Sequence, residues 1–75
     1  MERKKITVNS IAPGLIESEM ADRIPHSRKK EILSSISLGR LGVKEDVAHC
    51  AVFLASDKAG YITGEVISVD GGMRL

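Results

Sequence analysis

Residues that crosslink a chain or stack on nucleic-acid bases are scarce in this sequence. The 75 residues include one cysteine, no tryptophan and only two aromatic side chains, Phe53 and Tyr61. A single cysteine excludes an internal disulfide and is typical of a reducing compartment. Because single-stranded nucleic acids are bound largely by stacking bases on aromatic rings, so few rings argue against that function.

Charge and hydropathy patterns exclude further classes of protein. The formal net charge is +1, and the two basic clusters, Arg3–Lys5 and Arg28–Lys30, are expected to be solvated. No apolar run approaches the roughly 20 residues of a membrane-spanning helix, and no apolar stretch of a secretory signal follows Met1–Lys5. We therefore expect a cytoplasmic protein that binds neither membranes nor nucleic acid.

The residue types that most often bind metals are poorly placed for that role. His26, His49 and Cys50 form no pair at the spacing that metal sites use. No metal site is predicted. Cys50 lies among small apolar residues, where it is expected to pack as a small hydrophobic side chain.

Two short runs rich in β-branched residues predict strands. The first is Ile6–Ile11, in which Ile6 and Val8 should be buried, and Pro13-Gly14 should end it because proline lacks a ladder donor. The second is Glu65–Val69. A parallel pair of strands needs a long crossover between them, and roughly 50 residues are available here.

Helical signals occupy the segment between the two strands. Residues 15–25 predict a short irregular or helical piece that ends at a proline. Ser27 then reads as the N-cap of a helix over Arg28–Ser35. A loop with two glycines covers residues 37–42, and acidic residues open a second helix that should end near residues 56–58.

This order of strand, helix, helix and strand predicts an α/β fold with two parallel strands. The second helix carries a stripe of mostly small apolar residues between positions 47 and 55, which should pack closely against a sheet or another helix. A two-stranded sheet also leaves unpaired edges, so an ordered chain of this kind should associate with itself or with another segment.

Four segments carry a more specific pattern. The first is Asn9-x-x-x-Pro13-Gly14 followed by Ser18, and the others are Gly39-Arg40-x-Gly42, Val52–Asp57 and Tyr61–Met73. Together they resemble the C-terminal third of the short-chain dehydrogenases/reductases, with the best match to the 3-oxoacyl-acyl-carrier-protein reductases. The resemblance runs from about Lys5 to Met73 and is weakest at residues 21–36.

The resemblance implies much about the complete enzyme. It implies a Rossmann-like doubly wound parallel sheet, of which residues 1–75 would form a single partial domain. It also implies NADP or NAD as cofactor and reduction of a 3-oxoacyl group carried by acyl carrier protein. A homo-oligomer assembled through the 47–55 helix and the last strand is implied as well.

The resemblance assigns a cofactor role to the loop after the first strand. By itself, Pro13-Gly14 is explained by a turn that ends a strand. The family pattern makes Pro13, Gly14, Ile16 and Ser18 cofactor-binding residues, in which the Ile16 backbone bonds the nicotinamide carboxamide. The Ser18 hydroxyl would contact the carboxamide or the pyrophosphate.

Residues 19–38 match the mobile substrate-binding region of the family in place and length. Within this region, the basic residues Arg28–Lys30 would either face solvent or meet an acidic carrier protein. Arg40 is expected to be structural, because its guanidinium can satisfy several loop carbonyls. A role for Arg40 in binding a carrier phosphate is the alternative.

No catalytic residue is predicted in this chain. The family uses Tyr-x-x-x-Lys, where the lysine favours the phenolate, but Glu65 stands four residues after Tyr61. Tyr61 is therefore interpreted as a packing residue. The glycine-rich nucleotide loop is also missing, since Gly71-Gly72 precedes no helix.

Two hypotheses from different classes follow. The chain is either a C-terminal fragment of a reductase, inactive alone, or a non-catalytic module that pairs with an upstream segment or with itself. The retained cofactor loop favours the fragment. A family member acting on another small carbonyl compound or alcohol remains an alternative substrate assignment.

Overall fold

A computed structural model describes residues 6–74 of the chain. The elements in chain order are β1 (Ser10–Pro13), α1 (Glu19–Asp22), α2 (His26–Ser35), α3 (Lys44–Ala55), a 3-10 turn (Asp57–Ala59) and β2 (Val66–Val69). The two strands pair in parallel, so the predicted α/β class is confirmed. The predicted basic cluster Arg3–Lys5 lies outside the described residues. No helix within residues 6–74 is long and apolar enough to cross a membrane.

The first strand lies further along the chain than its sequence predicts. The ladder pairs Ser10 with Val66 and Pro13 with Val69, so the predicted strand at residues 6–11 is wrong in its bounds. Ile6 and Val8, which were expected to be buried, are 71% and 70% exposed.

The shift of β1 has a physical cause in Asn9. Its side-chain amide donates to the Ile62 carbonyl at 3.2 Å and accepts the Glu65 N–H at 3.1 Å. This side chain takes the place of ladder bonds just before the strand begins. Pro13 can belong to the strand because the N–H groups of Ser10 and Gly14 donate to the Glu65 and Val69 carbonyls, so the Pro13 nitrogen, one residue before Gly14, points away from β2.

The buried core lies between the helices and the loop that precedes α3. Four buried residues form one cluster, namely Ala21, Ile32, Ile36 and Leu41. Leu15, Ile24, Leu33 and Met73 are partly buried against them. The predicted apolar side of the first long helix, Ile32, Leu33 and Ile36, is therefore confirmed.

The helix over residues 28–35 begins earlier than predicted. α2 starts at His26, with Pro25 as its N-cap residue and no side-chain cap, so the prediction of Ser27 as N-cap is wrong. Lys29 donates its N–H to the Pro25 carbonyl at 2.9 Å, which closes the first turn. Proline favours this start because its ring fixes φ and its missing N–H is not needed at a helix N-terminus.

The apolar stripe of α3 is not covered within residues 6–74. No residue of this helix is buried, although the helix contacts both strands. Val52 is 69% exposed and Phe53 is 45% exposed. The expectation that these residues pack closely against a sheet or another helix is therefore wrong for most of the stripe, because two four-residue strands are too small to cover a twelve-residue helix.

Candidate functional site

The candidate site is the 13–18 loop, which leaves the carboxyl end of β1. In open α/β sheets, ligands bind outside the carboxyl ends of the strands. Gly14 lies against the end of β2, where its N–H donates to the Val69 carbonyl at 2.9 Å. A β-carbon added at Gly14 would lie 2.7 Å from the Asp70 Cβ and 2.9 Å from its Cα. Only glycine allows the two strand ends to approach this closely.

The next part of the loop pairs with the segment before α3. Gly42 donates its N–H to the Leu15 carbonyl at 3.0 Å, and Glu17 donates its N–H to the Gly42 carbonyl at 2.8 Å. These two bonds form an isolated parallel bridge between Ile16 and Gly42. The bridge uses the groups on either side of Ile16, whose own N–H and C=O make no hydrogen bond within residues 6–74. One donor and one acceptor are thus left together on a single residue.

Ser18 ends the loop and begins α1. Its hydroxyl oxygen accepts the Ala21 N–H at 3.2 Å, so Ser18 is the N-cap of this short helix. The hydroxyl proton makes no hydrogen bond within the described part of the chain. Ser18 can therefore cap α1 and donate to a ligand at the same time. The capping role was missed in the sequence, although serine before Glu-Met-Ala is a recognisable start signal.

An ion pair holds the segment that carries Gly42, which we call the 40–43 segment. Arg40 Nη1 donates to the Leu41 carbonyl at 3.0 Å and to Asp46 Oδ2 at 3.1 Å. The same carboxylate oxygen accepts the Val43 N–H at 2.8 Å. The expectation that Arg40 has a structural role in the loop is confirmed, because it satisfies a loop carbonyl.

The electrostatics of this pair favour both charged forms. The hydrogen bond from Arg40, followed by the one from the Val43 N–H, lowers the pKa of Asp46 below its ordinary value. The hydrogen bond to Asp46 raises the pKa of Arg40. Because the pKa of Asp46 is lowered, the pair persists across neutral pH and is lost only when acid protonates this carboxylate. Sequence reasoning noted Asp46 only as an acid at a helix start. The capping role of Asp46 had no sequence signal, because Val43 is not one of the residues that begin a capping box.

A cavity of ≈ 480 Å³ opens beside the loop at the carboxyl end of β2. Leu15, Arg40, Asp46 and Asp70 are among its lining residues. The predicted cofactor residues Pro13, Gly14, Ile16 and Ser18 do not line it. These four residues lie together on the loop because they are close in sequence, and the cavity adjoins the loop through Leu15.

The remaining candidates from the sequence lie away from the loop. Tyr61 is fully exposed at 104%, so its interpretation as a packing residue is wrong. It stands in the turn after the 3-10 helix, where the Ile62 N–H donates to the Ala59 carbonyl at 3.0 Å, and no side chain from residues 6–74 covers the ring. Cys50 is partly buried and not bonded to another cysteine. Within residues 6–74, no three metal-binding side chains are grouped.

Comparison with known proteins identifies the family of this chain. A family model described as enoyl-(acyl carrier protein) reductase matches residues 1–74. The 3-oxoacyl-acyl-carrier-protein reductase FabG of Rickettsia conorii is 53% identical over 70 residues, which are 93% of this chain and 29% of that protein. The protein of the same name from Thermotoga maritima is 47% identical over 72 residues, 96% of this chain and 29% of that protein.

A relative with a different name has a similar identity. Nodulation protein G of Rhizobium meliloti is 46% identical over 72 residues, 96% of this chain and 30% of that protein. The chain therefore spans less than a third of the length of these curated relatives. The match covers nearly all of the chain, including every segment on which the resemblance was based. The chain belongs to the short-chain dehydrogenase/reductase family of oxidoreductases and resembles its 3-oxoacyl-acyl-carrier-protein reductases.

Proposed function

We propose that this chain is the C-terminal part of an NADPH- or NADH-dependent reductase that converts a 3-oxoacyl thioester of acyl carrier protein to the 3-hydroxy form. Relatives at 46–53% identity support this substrate more strongly than the enoyl substrate in the family description, because two of the three carry the 3-oxoacyl name. We propose a cytoplasmic homo-oligomer as the working form, with acyl carrier protein as the partner that delivers substrate.

The observation that carries the proposal is the backbone of Ile16. A nicotinamide carboxamide offers one acceptor and one donor group, and the Ile16 N–H and C=O, at the carboxyl end of β1, make no hydrogen bond to any residue from 6 to 74. The Ser18 hydroxyl adds a donor two residues later. These groups fit the nicotinamide end of the cofactor, which supplies the hydride when bound. Pro13 and Gly14 place them by holding the loop against the end of β2.

The residues of this chain bind and orient, and we assign none of them to proton transfer. The proposed role of residues 1–75 is that of one partial domain, which completes the cofactor site of the full enzyme. Positioning of reactants can contribute about 7–11 kcal/mol to catalysis, and a chain that carries only part of the positioning groups loses most of that contribution. We therefore propose that the 75-residue chain alone has no reductase activity.

A chimera tests the assignment directly. The matched residues of this chain replace their counterparts in the Rickettsia conorii reductase, and the loss of NADPH absorbance with a 3-oxoacyl thioester is followed. We expect the chimera to keep an activity within about tenfold of the parent. A 1 Å misplacement of the reacting groups lowers the rate roughly 10²-fold, so a smaller loss indicates that these groups are correctly placed. The 75-residue chain at the same concentration should give only the background rate.

Two outcomes would count against the proposal. A chimera that folds to the parent's oligomeric state yet reduces no 3-oxoacyl thioester would remove the enzyme assignment. Steady turnover by the purified 75-residue chain would remove the claim of inactivity. The parent reductase with its own C-terminal residues is the matched control for expression, folding and assay conditions.

A second candidate function is supported by the exposed apolar side chains. Val52 and Phe53 on α3 and Val66 on β2 are 69%, 45% and 66% exposed. Contiguous apolar surface on a small protein usually marks an interaction site. As a non-catalytic module, the chain would use α3 and β2 to associate with a second copy or with an upstream segment.

Sedimentation equilibrium of the 75-residue chain distinguishes this candidate. We expect the chain to self-associate and Val52→Glu to raise the dissociation constant of the assembly tenfold or more. Burying an unpaired carboxylate in an interface costs several kcal/mol, and about 1.4 kcal/mol already corresponds to a factor of ten. Ser34→Glu is the matched control, because it adds the same charge at an exposed position of α2. A chain that stays monomeric at high concentration would exclude self-association as its function.

A further inference from the structure

The 40–43 segment is the structural support of the 13–18 loop. Gly42 makes both hydrogen bonds of the bridge, one to the Leu15 carbonyl at 3.0 Å and one from the Glu17 N–H at 2.8 Å. These bonds are on both sides of Ile16, so they fix the peptide groups that precede and follow it. In such a parallel bridge the N–H and C=O of Ile16 itself point away from Gly42, and among residues 6–74 they make no hydrogen bond.

Gly42 is itself held from both directions. On the N-terminal side of Gly42, the Arg40 guanidinium donates a hydrogen bond to the Leu41 carbonyl. On its C-terminal side, the Val43 N–H donates to the Asp46 carboxylate. Arg40 and Val43 share the same oxygen, Asp46 Oδ2, at 3.1 Å and 2.8 Å. The carboxylate thus closes a ring of contacts around Gly42 and ties it to the first turn of α3.

The core adds a third attachment. Leu41 is 6% exposed and belongs to the buried cluster with Ile32 and Ile36 of α2. The backbone on which Gly42 sits therefore cannot slide along the loop without removing Leu41 from the core. The burial of Leu41 fixes the position of the segment against the core, and the Arg40–Asp46 ion pair fixes the orientation of the Gly42 peptide groups.

We propose that the 40–43 segment positions the cofactor loop, with Arg40 and Asp46 as positioning residues that hold the Ile16 N–H and C=O in place for a nicotinamide carboxamide. This inference rests on the proposed function. Neither residue belongs to the 13–18 loop that we propose as the cofactor-binding segment. They act through Gly42, whose two hydrogen bonds transmit the geometry of the ion pair to the loop.

Steady-state kinetics of the chimera test the inference. Arg40→Gln and Asp46→Asn should each raise the KM for NADPH about tenfold, which is less than the roughly 10²-fold cost of a 1 Å misplacement. Both variants should leave the KM for the acyl substrate unchanged. Arg40→Lys keeps the charge opposite Asp46 and should recover most of the loss. The double variant should be no worse than the more affected single variant, because the two residues act as one unit.

Lys58→Gln is the matched control. It removes an exposed positive charge from the 3-10 turn Asp57–Ala59, outside residues 19–38, and Lys58 makes no ion pair within residues 6–74. This variant should leave both KM values and kcat unchanged. Amide hydrogen exchange of Glu17 supplies an independent measurement, because its bond to Gly42 should protect it and Arg40→Gln should accelerate its exchange about tenfold.

The outcomes separate this inference from the proposed function. If the chimera is active but both variants keep the parent's KM for NADPH, the positioning role is wrong and the function stands. An equal loss in every kinetic constant with a lower unfolding temperature would also overturn positioning, because that pattern indicates general destabilisation. If the chimera is inactive, the proposed function fails, and unchanged Glu17 exchange in Arg40→Gln would overturn the support of the loop as well.

Discussion

Gly14→Ala is expected to raise the KM for NADPH of the chimera by about 10²-fold, the cost of misplacing a bound group by roughly 1 Å. The added β-carbon would lie 2.7 Å from the Asp70 Cβ and 2.9 Å from its Cα. These atoms belong to the end of β2 and cannot rotate away. The loop therefore has to move, and the bond from the Gly14 N–H to the Val69 carbonyl is lost.

Gly64→Ala is the matched control for the Gly14 variant. Gly64 has a φ of 73° and nothing within 4 Å of an added β-carbon, and it precedes β2 at the end of the strand opposite the loop. Its replacement should lower stability by about 1 kcal/mol through backbone strain while leaving the KM for NADPH unchanged. Equal effects of both variants on the KM would show that Gly14 matters only for folding.

Leu41→Ala is expected to have the largest effect on stability. Leu41 is 6% exposed in a cluster whose other buried members are Ala21, Ile32 and Ile36. Removing a buried leucine costs about 2–5 kcal/mol. At roughly 0.05–0.15 kcal/mol per residue, the free energy of unfolding of a chain of this length is about 4–11 kcal/mol. The variant should therefore lose a large share of its free energy of unfolding, measured by urea denaturation of the 75-residue chain.

Leu38→Ala makes the same chemical change three residues earlier in the same loop. Leu38 is 70% exposed, so its replacement should change the free energy of unfolding by less than about 0.5 kcal/mol. The contrast isolates burial from the change of residue type. If the two variants were equally destabilised, the core of this protein would have to lie elsewhere.

The Gly14 and Leu41 predictions concern the two parts of one arrangement, the cofactor loop and the segment that supports it. Gly14 fixes where the cofactor loop leaves the sheet, and Leu41 fixes the segment that supports it. A substitution at the first should affect cofactor binding more than stability, whereas one at the second should affect stability first. Measuring both quantities for both variants therefore tests whether the loop and the core are separable.

The glycine turns of the chain were interpreted correctly, because their effect is local. Gly71 and Gly72 have φ of 62° and 82°, and they form the turn after β2 that the sequence predicts. The loop around Gly39 and Gly42 also follows the prediction, and α3 ends at Ala55, shortly before the predicted end at residues 56–58. Such features depend on the backbone freedom of one or two residues, which the sequence states directly.

Errors in the prediction occurred where a distant partner decides the outcome. Asn9 bonds Ile62 and Glu65, more than 50 residues away, and these bonds move the start of β1 from Ile6 to Ser10. The β-branched pattern at Ile6–Ile11 cannot reveal this, because strand propensity says nothing about where the neighbouring strand begins. The exposed stripe of α3 has the same origin, since a helix cannot specify what is available to cover it.

The candidate site shows the same division. The motif Asn9-x-x-x-Pro13-Gly14 with Ser18 identified the family and the loop, because those residue types are read in order along the chain. The bridge between Ile16 and Gly42 and the shared oxygen of Asp46 appear only when the loop and the start of α3 meet in space. The sequence by itself therefore determined the class of fold, the helices and the family. The tertiary structure decided the register of the strands and the support of the loop, because both depend on hydrogen bonds between segments far apart in the chain.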